Sequence, residues 1–182
     1  MGVEYGNSID RLHTIHIKWT RPIPFDENKF KELRSDLECG WYYITRYFGS
    51  GKPTHLYIGK AKGFIYKRIL QHTEGDSCDP FLSKRGYFEV RFGTVDNPSL
   101  NTKEKLSKRY HLNRFLLTVE SALIQDAAPI CNRSQSCNYT RWYKLRIINS
   151  NINESLLSHI IENTYDENIL PYPKDWNGQL EI

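Results

Sequence analysis

Glu120 is set into an apolar run, four residues after Leu116, three before Leu123 and four before Ile124. On a helix those positions share one side. An unpaired carboxylate buried there is costly. It either points to solvent from the flank of the stripe or finds a cation, an arginine or a proton. A divalent metal would satisfy it and would serve phosphate chemistry. Arg68 and His72 stand four apart and so share a helix face. A guanidinium suits a phosphate that gains negative charge during in-line displacement, although spacing alone favours a surface arginine and an ordinary histidine. Tyr42 and Tyr57 fall on two strands of one hairpin, where paired tyrosines usually only pack. Tyrosine becomes a general base only when its pKa, normally about 10, is pulled down by positive charge. Lys60, Arg68 and a metal on Glu120 would supply that charge if they converge.

The elements that must position these residues follow from periodicity. His13 to Trp19 alternates, with Ile15, Ile17 and Trp19 on one side of a half-buried strand. Asp26 to Glu38 has helical spacing with Asp26 as N-cap. Trp41 to Phe48 and Thr54 to Ile58 read as two strands joined by a turn and therefore antiparallel. Gly63 to His72 reads as a helix, Tyr87 to Phe92 as a strand, and His111 to Asp126 as the strongest helix of the chain. Arg141 to Ile148 reads as a strand and Ser155 to Asn163 as a helix, with Leu156, Leu157, Ile160 and Ile161 as its apolar face. Outside its strand, the stretch from Thr73 to Tyr110 reads as a turn-rich insertion. The order strand, strand, helix, strand, helix from Gly40 to Asn132 predicts an α+β unit: a small antiparallel or mixed sheet flanked by helices.

The 182 residues, 39% of them hydrophobic, suit a single domain over 1–182. No stretch approaches the roughly 18 apolar residues of a membrane span, and Met1 to Asp10 has no signal-peptide core. These features predict a cytoplasmic protein without a membrane partner. Cys39, Cys78, Cys131 and Cys137 form no zinc-ligand pattern and read as reduced thiols. The net charge of +4 conceals an asymmetry. Residues 154–182 hold six acids and one lysine, or −5, which leaves 24 basic and 15 acidic side chains, or +9, in residues 1–153. Lys60, Lys62, Lys67 and Arg68 cluster without an acid, as do Arg133, Arg141, Lys144 and Arg146. Lys103 to Arg114 adds five more basic residues against Glu104. Basic segments interleaved with aromatics suit a phosphate backbone with stackable bases, though charge alone equally describes a solvated face. Gly49-Ser50-Gly51-Lys52-Pro53 imitates a phosphate-binding loop, but Arg46 replaces its first glycine and Pro53 its magnesium-binding hydroxyl. A nucleotide cofactor is not expected.

Gly40-Trp41-Tyr42-Tyr43-Ile44 followed by Leu56-Tyr57-Ile58-Gly59-Lys60-Ala61 resembles the paired motifs of the GIY-YIG nuclease superfamily. Arg68 and His72 follow at that family's distance. Glu120-Ser121-Ala122-Leu123-Ile124 and the trailing Pro129-Ile130-Cys131-Asn132 resemble its glutamate helix and Pro-x-x-Asn. The resemblance covers 40–132 as a β-β-α-β-α catalytic core, with 1–39 and 133–182 as N- and C-terminal extensions. Trp41 is the one departure, standing where the family usually has isoleucine.

The resemblance implies a metal-dependent DNA endonuclease. Glu120 would hold Mg²⁺ or Mn²⁺, and Tyr42 would take a proton from the attacking water. Arg68 would stabilise the phosphoryl charge, His72 would orient or help deprotonate Tyr42, Tyr57 would position water or phosphate, and Asn132 would hold the geometry. Lys60, Lys62, Lys67, Arg133, Arg141 and Lys144 are the expected DNA and phosphate contacts. A compact core with extensions resembles the family's restriction enzymes, which points to a type II enzyme acting on double-stranded DNA as a homodimer. A structure-specific or nonspecific repair nuclease and a non-catalytic DNA-binding protein are the competing expectations.

Overall fold

The computed structural model describes residues 12–25, 38–47, 51–73, 87–132, 143–153 and 156–163, with the backbone alone over 70–73. The strands are β1 (His13–Trp19), β2 (Ile23–Pro24), β3 (Gly40–Tyr47), β4 (Thr54–Ala61), β5 (Tyr87–Val95), β6 (Leu145–Ser150) and β7 (Ile160–Asn163). The helices are α1 (Ile65–Thr73), α2 (Lys103–Arg109) and α3 (Leu112–Ala127), with a 3₁₀ turn over Ile130–Asn132. The seven described strands join one mixed sheet, six of them in the order β4-β3-β5-β1-β6-β7, with β2 pairing β5 off that path. β1 and β6 run parallel and the other pairs antiparallel. The α+β expectation holds, and the segments before and after 40–132 extend the same sheet.

β1 and β2 form one interrupted strand along β5. Trp19 pairs with Gly93 and Ile23 with Val90. Between them Thr20 exchanges bonds with Phe92, its N–H donating to the carbonyl at 2.8 Å and its Oγ1 accepting from the Phe92 N–H at 3.0 Å.

The alternation of β3 divides the core. Trp41 and Tyr43 join Ile15, Ile17, Trp19, Ile58 and the apolar stripe of α3 on one face. Tyr42 and Ile44 join Leu56, Tyr57, Ile65, Ile69, Val90 and Phe92 on the other, beneath α1. Each such side chain, fully buried, contributes about 1.5–3 kcal/mol.

Two expectations fail. Of the helix expected over Ser155 to Asn163, the described residues 156–163 are not helical: Leu156 and Leu157 are buried in a turn, and Ile160–Asn163 form β7 on the edge of β6. Ile160 is 52% exposed while Ile161 packs on the core, which is strand alternation. The free edge of β6 takes two β-branched residues that the spacing alone assigned to a helix. The Thr73–Tyr110 stretch also holds a helix, α2, which Thr102 caps by accepting from the Lys105 N–H. The expected helix over Asp26 to Glu38 lies outside the described residues, apart from Glu38.

Candidate active site

The β3–β4 hairpin sets the tyrosines. Tyr42 pairs with Gly59 and Ile44 with Tyr57, so both phenols fall on the α1 face. Their rings stack with centroids 5.9 Å apart and 27° between planes. Gly59 makes this possible, because a Cβ there would collide with the Tyr42 phenol and come within 2.8 Å of Tyr57 Cε1. Gly40 opens the hairpin with φ 148°, and a Cβ there would run into the Gly93 carbonyl.

Glu120 is positioned by the same hairpin. The Trp41 indole N–H donates to the Leu116 carbonyl at 3.0 Å, one helical turn before Glu120. Trp41 is wholly buried and lies edge-on to Phe115. Its indole fixes α3 against β3 in a way an isoleucine cannot. After α3, Ala128 takes a left-handed conformation (φ 45°), and the 3₁₀ turn delivers Asn132 to β4. There the Asn132 carboxamide accepts from the Ile58 N–H at 2.8 Å and donates to its carbonyl at 2.9 Å. β4 is an edge strand in the sheet, and Asn132 pairs its outward groups as another strand would. Two residues along, the Lys60 side chain forms an ion pair with Glu120. Asn132 and Glu120 thus both reach the β4 edge.

The charges converge as the chemistry required. Glu120 is 7% exposed, and Lys60 Nζ lies 3.6 Å from its Oε2. Burial raises the Glu120 carboxyl above its ordinary range, while Lys60 and, after it, Arg68 pull it down. Burial wins, so the two cations only partly compensate the buried charge. A divalent cation fits that deficit. Among the described residues no three metal-ligating side chains cluster. Glu120 is the carboxylate of this group, and Mg²⁺ keeps several waters and takes phosphate oxygens as further ligands.

Tyr42 departs from the sequence expectation. Burial holds its hydroxyl well above the usual phenolic range, Tyr57 adds to this, Arg68 opposes it, and the charge of Glu120 raises it further. Positive charge does reach Tyr42, but it is outweighed, so the phenol is protonated.

Tyr42, Tyr57, Lys60, Arg68 and Glu120 are therefore brought together, and Asn132 supports them from the edge. His72 lies one turn beyond Arg68 on α1, with its side chain outside the described residues. Lys62 and Lys67 are exposed on the same corner, Lys67 with its ammonium 5.5 Å from the Phe64 ring centroid. Lys144 stands elsewhere, just before β6, its carbonyl accepting from the His13 N–H; β5 and β1 separate β6 from the hairpin in the sheet order. Arg133 and Arg141 lie outside the described residues. The tethering role of Trp41 and the space kept by Gly59 were not read from the sequence. The only signal available was their place inside the two tyrosine motifs.

No protein-family model, curated protein or solved structure matches the chain, and the chemistry of the site rests on its own side chains.

Proposed function

We propose that this protein is a metal-dependent DNA endonuclease of the GIY-YIG type. Glu120 carries the reading: a buried carboxylate with a raised pKa, faced by Lys60 and Arg68 and within electrostatic reach of Tyr42. Catalysis of phosphodiester hydrolysis needs positive charge around the phosphoryl group and a route for the water's proton. Lys60 and Arg68 supply the charge, and Tyr42 beside them is the proton carrier of this reading.

Glu120 would hold Mg²⁺ or Mn²⁺, and the bound cation would supply Lewis-acid stabilisation of the phosphate. Arg68 stabilises the charge that builds on the phosphoryl oxygens. Lys60 has a side chain 24% exposed and can turn from Glu120 to a phosphate oxygen. Burial keeps the Tyr42 phenol protonated, so Tyr42 would act as a relay, passing its proton to His72 as it takes one from the attacking water. The water oxygen bonds to phosphorus as the bond to the leaving sugar oxygen breaks, and that oxygen takes a proton from solvent. Tyr57, stacked on Tyr42, positions the water or phosphate, and Asn132 keeps β4 in place. The compact core built into a larger sheet supports the restriction-type reading, a homodimer on double-stranded DNA.

The test is cleavage of plasmid and phage DNA with Mg²⁺ by wild type and Glu120→Ala. Discrete bands lost in the variant are the expected result. A smear lost in the variant would replace restriction with nonspecific cutting. Binding without cutting in Mg²⁺ and Mn²⁺ would overturn the nuclease.

A further inference from the structure

We infer that Phe64 is a base-stacking side chain at the reactive centre, taking the face of a nucleobase close to the phosphate being cut; this rests on the endonuclease reading. The residues after it sink into the core. Ile65 and Ile69 are wholly covered and Tyr66 nearly so, all three in the cluster that holds Tyr42 and Tyr57. Phe64 stays 39% exposed. The large apolar side chains exposed among the described residues are Leu12, Phe64, Tyr87, Ile130 and Ile160, and Phe64 is the one that falls between Lys60 and Arg68, the two cations of the site. A lone exposed apolar residue needs no explanation. An exposed ring set between the cations of a phosphate site has one, because every base offers a π-face to stack on it.

Contacts on both sides fix the ring beside the site. The Phe64 and Tyr66 ring centroids are 5.8 Å apart, and Tyr66 packs in the Tyr42–Tyr57 cluster. Ile65 Cδ1 would lie 3.3 Å from a Cβ on Gly40, so the start of α1 sits on the first residue of β3. The Lys67 N–H donates to the Phe64 carbonyl at 3.1 Å. The first turn therefore opens at Phe64, and Arg68 follows about 6 Å along the axis. In the other direction the four-residue step to Lys60 spans at most about 14 Å, and Lys60 Nζ is 3.6 Å from Glu120 Oε2. DNA rises about 3.4 Å per base pair, so the ring stands within a few base steps of a phosphate held there.

The surroundings suit nucleic acid. Lys62, Gly63, Phe64 and Lys67 are exposed, and no acid occurs from Lys60 to Thr73. Among the described residues a Cβ on Gly63 would meet nothing within 4 Å, which leaves open space beside the ring. Lys67 Nζ lies 5.5 Å from the Phe64 centroid. An exposed ring holds an ammonium more weakly than it holds a base. An arriving base therefore displaces Lys67, and the freed ammonium meets a neighbouring phosphate. In a duplex that base must leave its stack, which costs least where pairing is already broken.

The experiment measures binding of two fluorescein-labelled 30-base-pair duplexes in EDTA over a salt series, one fully paired and one with three central T·T mismatches. Wild type is compared with Phe64→Ala, Phe64→Trp and Tyr87→Ala. Tyr87 is a 50% exposed ring paired with Tyr47, at the opposite end of β3 from Gly40. Thermal melting confirms that each variant folds. Wild type should prefer the mismatched duplex by about fivefold or more, the worth of one stacked base. Phe64→Ala should lose that preference with its salt slope unchanged, since no phosphate contact is removed. Phe64→Trp and Tyr87→Ala should both keep it. A full preference in Phe64→Ala, its loss in Phe64→Trp or Tyr87→Ala, or no preference in a wild type that binds both duplexes would overturn the Phe64 contact while leaving the nuclease standing. No binding of either duplex by wild type would overturn both.

Discussion

Tyr42 and Tyr43 are neighbours of the same residue type, both almost wholly buried, yet they belong to different chemistries. Tyr43 faces α3. Its hydroxyl shares a 2.5 Å hydrogen bond with His55 Nδ1 and donates to the Leu156 carbonyl at 3.2 Å. Burial raises its pKa, and Arg91 pulls against that rise. These partners tie the edge strand β4 to the segment before β7. Tyr42 faces α1, stacks on Tyr57, and feels the opposed charges of Arg68 and Glu120. One phenol closes a structure, while the other sits where a bound cation would change its charge environment. In a β-strand the side of the sheet separates such roles, because neighbours point to opposite faces.

The largest test of this contrast is Glu120→Gln. Cleavage should fall by about a thousandfold or more, since the transition-state charge loses its anchor. Folding should not suffer. The Glu120 pKa is raised above its ordinary 4.5, so its contribution to stability is full below that value and is lost as pH rises through the folded pKa. Wild type should therefore lose stability above about pH 4.5 relative to the glutamine variant. Melting curves across pH would check this. Mg²⁺ should raise the melting temperature of wild type alone.

Asn132→Ala is the next largest. It leaves the Ile58 N–H and carbonyl without their partner, at about 1–3 kcal/mol for each buried group. Denaturant unfolding should register a loss of about 3 kcal/mol. Cleavage by the folded variant should also drop, because the edge carrying Lys60 loses its clamp.

The smallest effect belongs to the Tyr43 face. Burial lowers the His55 pKa from its ordinary 6.5, against the pull of Asp126. Its contribution to stability is therefore present above that value and lost as pH falls through the lower folded pKa. His55→Asn should flatten the loss of stability on the acid side of pH 6.5 in a melting series, with cleavage at neutral pH little changed.

β3 was legible as a strand from its aromatic and β-branched residues, but the side that each tyrosine takes was not, because both faces are buried and the strand shows no polar alternation. β1, β5 and the long apolar stripe of α3 were also legible. The grouping of Tyr42, Tyr57, Arg68 and Glu120 was legible only through the motif resemblance, since their meeting depends on contacts across as many as 78 positions from Tyr42 to Glu120. The parallel pairing of β1 with β6 was not legible, because it joins His13 to Leu145 with no local signal. Leu156, Leu157, Ile160 and Ile161 fit either a helix or a strand, and the edge of β6 decided between them. Helix α2 buries one side chain, too little for an apolar stripe, although Thr102 and the basic last turn marked its ends.

The most direct measurement is single-turnover cleavage of duplex DNA in Mg²⁺ by wild type, Tyr42→Phe and Tyr43→Phe at a temperature where all three are folded. We expect Tyr42→Phe to slow cleavage by about a hundredfold or more, while Tyr43→Phe stays within a few-fold of wild type and loses about 1 kcal/mol of stability. Equal rates for the two variants, a larger loss in Tyr43→Phe, or no cleavage by wild type would contradict the assignment of the reactive centre to the Tyr42 face.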